Sequence, residues 1–442
     1  MIFETDYRLE NYILNSGWND FPQRVRERAV GCAIDLTTAL VLGSKGRQFE
    51  VGLRTARSVY GCGDVPVLGS RERFSFVGAA AAAAHAANSF DIDDGHNMIR
   101  GHPGASFVGG VLSAALARNA KYREYLEALV VSYEVTVRWA LAMQDYYNFM
   151  HSTGAYGAFG TASGAGRLFQ LDRKTLNAAL SIADFHAPMT PVMRAVEYPS
   201  MNKDGVPFGT VVGALAVIEA MEGYEGKTHL LEMPEYRHLL DSLGSEYEIM
   251  NLYFKPYTCC RWAHQPITAC LDLMKEHGFI YENVEKITIH TFKAAARLSK
   301  IAPSTTDEAQ YNIAYPVAAA VVHGDLGYFQ VCAESLKDER VLEIMKRLEF
   351  VVDSEMEALF PQKRLAWVAL RLTDGRTLRS QIYAAPGEAS DGIDLEWITK
   401  KFIRVTESIL SSEKQDELLS ILTGPQDVRI SAVVEAVNAG LA

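Results

Sequence analysis

Three carboxylates and two histidines fall within twelve residues, at Asp91, Asp93, Asp94, His96 and His102. Carboxylates beside imidazoles can orient a histidine or lysine by hydrogen bonding, and can themselves take protons. The same Asp, Gly and Pro types also cap helices and close turns, so spacing alone leaves both roles open. A metal is possible in principle, although the spacing matches no standard ligand pattern. Four further segments put reactive side-chain types ahead of helical stretches. Residues 149–154 place His151 before Ser152, Thr153 and a Gly- and Ala-rich helix, where unpaired N–H groups favour an anion. Residues 200–209 carry Lys203 in a loop, and residues 254–264 carry Lys255, Cys260 and Arg261 in another. Residues 310–315 lead through Tyr315 into an Ala- and Val-rich helix. The sequence has no nucleophile elbow, phosphate-binding loop, dinucleotide fingerprint or HExxH pair.

Composition narrows the classes. Apolar residues make up 48% and charged residues 22%, the balance of a packed chain and not a disordered one. The net charge is −11 and no Lys/Arg block stands out, which argues against nucleic acid but leaves room for a local positive pocket. The six cysteines form no CxxC pair. Adjacent Cys259 and Cys260 could chelate a metal, but no second Cys/His cluster accompanies them, and they read as reduced thiols of a cytoplasmic protein. The start MIFETDYRLE is charged and lacks the apolar core of a secretion signal. The longest apolar run, 76–87, is too short to span a bilayer, so no membrane partner is expected.

At 442 residues the chain is long enough for more than one core. Apolar residues recur at helical spacing over 24–41, 76–88, 108–117, 124–143, 155–169, 173–182 and 209–221. The texture changes near 250. Residues 286–292 alternate as a strand, and 366–372 and 377–383 read as a hairpin around the Asp374-Gly375 turn. Helices return over 395–405, 413–422 and 428–439. The expectation is a mainly α protein. A large all-helical domain comes from both chain ends, 1–252 plus 395–442, and a smaller inserted α+β domain spans 253–394.

Taken in order, DIDDGH…HPGA, FMHSTG, SMNKDG, KPYTCCRWAH and NIAYPVA resemble the MmgE/PrpD family, and the C-terminal VALRLTDGR is also similar. The resemblance spans nearly the whole chain and rests on five motifs together. It implies an inserted lid domain over the helical one, a homodimer, a pocket between the domains, and no metal or other cofactor. The implied activity is that of a lyase, dehydratase- or decarboxylase-like, on a small di- or tricarboxylate. An isomerase or epimerase on the same site and a non-catalytic ligand-binding relative are the alternatives. Carried over by motif, Asp91, His102, His151, Lys203 and Tyr315 form the catalytic set, with Lys255, His96, Arg261 and Cys260 binding substrate. Lys203 and Lys255 would clamp carboxylates, His102 and His151 would move protons, Asp91 would orient a histidine, and Tyr315 would donate from the lid. The chain departs from the family pattern at Gly95, where threonine is usual, and at Cys260, where the decarboxylases carry histidine.

Overall fold

Small residues set the helix spacing in the first half of the chain. A Cβ on Gly209 would lie 1.7 Å from the carbonyl oxygen of Gly154, so the helices Gly154–Leu168 and Val206–Met221 touch backbone to backbone. Around them pack Phe76–Ala87, Pro103–Ala117, Tyr122–Tyr147 and Arg173–His186, the last with Asp172 capping its first turn. The computed structural model describes residues 6–298 and 301–440; the first five, which open the charged start of the chain, lie outside the described residues. The fold is mainly α, with twenty α-helices among the described residues. No helix is long and apolar enough to cross a membrane among these residues.

The helices Pro103–Ala117, Tyr122–Tyr147, Arg173–His186 and Val206–Met221 extend about a turn beyond the periodic stretches that announced them. Pro103–Ala117 begins earlier than the apolar pattern because proline suits a first helical turn, where its missing N–H would have no partner anyway. The chain ends meet where Leu395–Thr406 lies along Gln23–Gly43. That contact buries Ile398, Phe402 and Val405, each worth about 1.5–3 kcal/mol. It also seats the ammonium of Lys401 2.5 Å from Asp35 Oδ1 and 2.7 Å from the Ile92 carbonyl.

The sheet of the middle region runs in the order Leu348–Val352, Val284–Thr291, Leu365–Leu372, Thr377–Arg379, with Tyr383–Ala384 pairing the start of Leu365–Leu372. Its first pair is parallel, Ile287 opposite Leu348, and needs the long helical crossover between them. The others are antiparallel, with Ile289 opposite Val368 and Leu370 opposite Leu378. The expected strand over 377–383 is broken. Ser380 N still donates to the Val368 carbonyl at 2.9 Å, but the Ser380 hydroxyl accepts the Val368 N–H at 2.9 Å, and strand pairing resumes at Tyr383. Among the described residues, most buried apolar side chains fall into two clusters. One joins 9–254 to 393–437; the other joins most of 259–372 to Ala39, Leu42, Phe90, Ile92 and Val405.

Candidate active site

A pair of two-residue strands decides where the chemistry assembles. Gly95–His96 pairs antiparallel with Leu252–Tyr253, His96 opposite Leu252. This holds the acidic loop after Phe76–Ala87 beside the 254–264 segment. Asp91 turns out of that loop with φ 52, a left-handed conformation uncommon outside glycine. Its Oδ1 lies 2.7 Å from Lys255 Nζ, which also donates to the Asp91 carbonyl at 3.1 Å. Burial alone would raise the Asp91 carboxyl, but the charges of Lys255, His102 and Lys203 together outweigh it and hold the group below its ordinary value.

His102 stands immediately before Pro103–Ala117. Its Nδ1 lies 2.8 Å from the Asp94 carbonyl oxygen and 3.4 Å from Asp93 Oδ2. A carbonyl only accepts, so Nδ1 carries the hydrogen in the neutral ring and Nε2 keeps a lone pair. Asp94 caps the same helix by accepting from Gly104 N at 3.0 Å, and Tyr133 donates to its other oxygen. Burial pushes the Asp94 carboxyl up to about 7.

Asp204 closes the cluster. The turn before Val206–Met221 passes through left-handed backbone at Lys203 and Gly205. The Asp204 carbonyl accepts from Gly154 N at 2.6 Å, and its Oδ2 accepts from the Tyr311 hydroxyl at 3.2 Å. Burial raises the Asp204 carboxyl above its ordinary value, with Asp91 adding to the rise and His102 opposing it. Donor atoms of Asp91, His102 and Asp204 all lie within 4.8 Å of one another, close enough to hold a metal ion. Lys255 already meets the charge of Asp91.

These three residues line a cavity of about 820 Å3, and Cys260, Arg261 and Tyr311 line it too. Arg100, Arg297 and Arg364 add guanidinium groups to its wall, and none of the three is ion-paired among the described residues. Arg364 does donate to Asn97 Oδ1 at 3.1 Å. Arg261 is more fully engaged, lying 2.6 Å from Glu388 Oε1 and stacked 3.7 Å over the Tyr253 ring.

Several residues singled out in the sequence stand elsewhere. All three ammonium protons of Lys203 are taken by the Asn88 and Ser89 carbonyls and Gln310 Oε1, which leaves none for a ligand. Tyr315 gives its hydroxyl to the carbonyls of Gln330 at 2.9 Å and Ser335 at 3.2 Å and is fully buried away from the cavity wall. His151 is also fully buried, its ring 3.7 Å from that of Phe149; it is its neighbour Met150 that reaches the wall. Burial lowers His151 to about 4, so its ring is neutral. His96 meets Glu248 Oε2 at 3.1 Å and stitches the short strand pair in place. Lys255 touches Asp91 and not the wall, and the carboxylate behind His102 is Asp93, with Asp91 paired to the lysine instead. Asp204 and Tyr311 adjoin or share motifs already conspicuous in the sequence, but which side chain of each turn faces inward is a matter of backbone dihedrals.

Two family models match the chain: the MmgE/PrpD N-terminal domain over residues 7–245 and the MmgE/PrpD C-terminal domain over residues 257–423. No curated protein matches it. With both models covering the segments that meet at this cavity, the chain belongs to the MmgE/PrpD family.

Proposed function

We propose that this protein is a cofactor-independent lyase of small polycarboxylates, removing water or carbon dioxide by acid–base chemistry at the α-carbon. The observation that carries the reading is the cluster of Asp91, His102 and Asp204 on a cavity wall that also bears Arg100, Arg297 and Arg364. The guanidinium groups suit carboxylates, because their paired N–H groups match the two oxygens and their charge stabilises an enolate-like state. His102 Nε2, with its tautomer set by the Asp94 carbonyl, takes the α-proton. In a dehydration the C–O bond then breaks, and Asp204, the carboxyl raised by burial, delivers its proton to the departing hydroxyl, which leaves as water. Tyr311 holds Asp204 in place, and the Lys255–Asp91 pair supplies a fixed dipole. Residues 253–394 serve as a lid over the helical part and open to admit substrate, since the cavity takes walls from both.

The active form is a homodimer in this reading. Phe208 and Leu215 stand exposed on the same stripe of Val206–Met221, the kind of apolar face that a second copy covers.

Incubation with a panel of di- and tricarboxylates, read by mass spectrometry, tests the activity. Loss of water or carbon dioxide from one of them is expected. Uptake of solvent deuterium with no loss of mass would replace the lyase by an epimerase, and binding without turnover would leave a ligand-binding protein.

A further inference from the structure

A small polyacid fills only a fraction of this cavity. At about 820 Å3 it approaches the upper end of pockets that enclose drug-sized ligands, about 300–1,000 Å3. Its walls are also divided by chemistry. Asp91, His102 and Asp204 cluster within 4.8 Å of one another, while Val196, Trp262, Leu298 and Phe360 contribute apolar surface. The aromatic part of that surface is packed ring against ring. Phe292 stacks on Phe360 at 4.4 Å between ring centroids, and Trp262 meets Phe292 edge-on at 5.3 Å and Phe360 at 6.1 Å. Val196, Trp262 and Phe360 are all backed by the second core cluster. A carboxylate gains nothing from such a wall, and an acid–base site works best when the closed cleft excludes water. Trp262 directly follows Arg261, so the segment that reaches the reactive cluster brings the aromatic wall with it.

We propose that the substrate carries, beside its carboxylates, an apolar arm of several carbons, as in an alkyl- or aryl-substituted polycarboxylate, and that the arm lies against Trp262 and Phe360. This rests on the carboxylate reading of the site and narrows it. The polar end anchors near the guanidinium groups, and the arm covers the wall that a bare di- or tricarboxylate leaves wet.

The test is a calorimetric binding series on the full-length protein with succinate and its 2-methyl, 2-propyl and 2-hexyl derivatives. Affinity should rise about three- to fourfold per methylene, the increment of a buried CH2 group. Trp262→Ala should shrink that increment, and Val196→Ser, on a short and partly exposed helix, should do so with less risk to the fold. Affinity that is flat or falls with chain length, while succinate itself binds, would overturn the arm and leave the carboxylate reading intact. Failure of every member to bind would overturn both. A rising series in a protein that turns over no polycarboxylate would uphold the arm and remove the lyase.

Discussion

The ammonium of Lys255 lies 2.7 Å from Asp91 Oδ1, with both side chains buried. A lysine at this place in the sequence suggests a clamp for substrate, yet its charge is spent inside the protein. Lys255→Met would leave Asp91 buried without its partner. Removing one member of a buried pair costs about 3–5 kcal/mol, so the variant should melt well below the wild type. An unchanged melting temperature with weakened substrate binding would return Lys255 to the substrate.

His102 and His151 separate cleanly by exposure and position. His102→Gln should lose on the order of 10²–10⁴-fold in kcat, because the proton-accepting Nε2 disappears. His151→Asn removes a ring packed on Phe149, so it should melt lower and keep kcat within about threefold of wild type. Steady-state rates and thermal melts on the two variants check this; a His151→Asn enzyme that folds normally and loses turnover would make His151 the proton carrier.

Asp94 gives the stability a pH dependence. Burial raises its carboxyl from an ordinary 3.8 to about 7, so the folded chain keeps a proton that the unfolded chain releases near 3.8. Its contribution is therefore full below about pH 4 and is lost as pH rises through about 7. Asp94→Asn keeps an oxygen for Gly104 N and removes the titration. Its melting temperature should vary less than the wild type's between pH 5 and 8, measured by calorimetry, and a parallel pair of curves would show that another group carries the slope.

Arg100 and Arg364 stand on the cavity wall without an ion partner among the described residues. Each should hold a substrate carboxylate in ground and transition states alike. Methionine at either position should remove about 1.5–3 kcal/mol, roughly ten- to a hundredfold in kcat/KM, chiefly through KM. Equal kcat/KM in wild type and Arg100→Met would take that residue out of the site.

Phe208 is 68% exposed on Val206–Met221. If a second copy covers this stripe, Phe208→Glu should shift the protein from dimer to monomer in sedimentation velocity, with its helical content intact. A wild type that sediments as a monomer would end the dimer proposal.

Helix positions were legible in the sequence because they depend on periodicity, and Gln23–Gly43 and Leu395–Thr406 stand within a few residues of where apolar spacing put them. The order of motifs was likewise enough to place Asp91, His102, Cys260 and Arg261 among the candidates, and these four do share one cavity. Which way a side chain turns was beyond it. Asp91, Arg100 and Lys203 all adopt left-handed backbone, and such a turn rotates one residue inward and its neighbour outward. Lys203 thus meets Gln310 across the fold, while Asp204, beside it in sequence, faces the cavity. Arg100, Arg297 and Arg364 carry no local signal at all, being lone arginines in separate loops until packing brings them to one wall. Tyr311 ends the helix Thr306–Tyr311 and Tyr315 opens the next, Ala314–His323, with Asn312 extended between them, so Tyr311 reaches Asp204 while Tyr315 is buried against Gln330 and Ser335. Sequence spacing specified the elements, whereas the charges in the cavity depend on contacts between residues far apart in the chain, which only the folded backbone brings within reach.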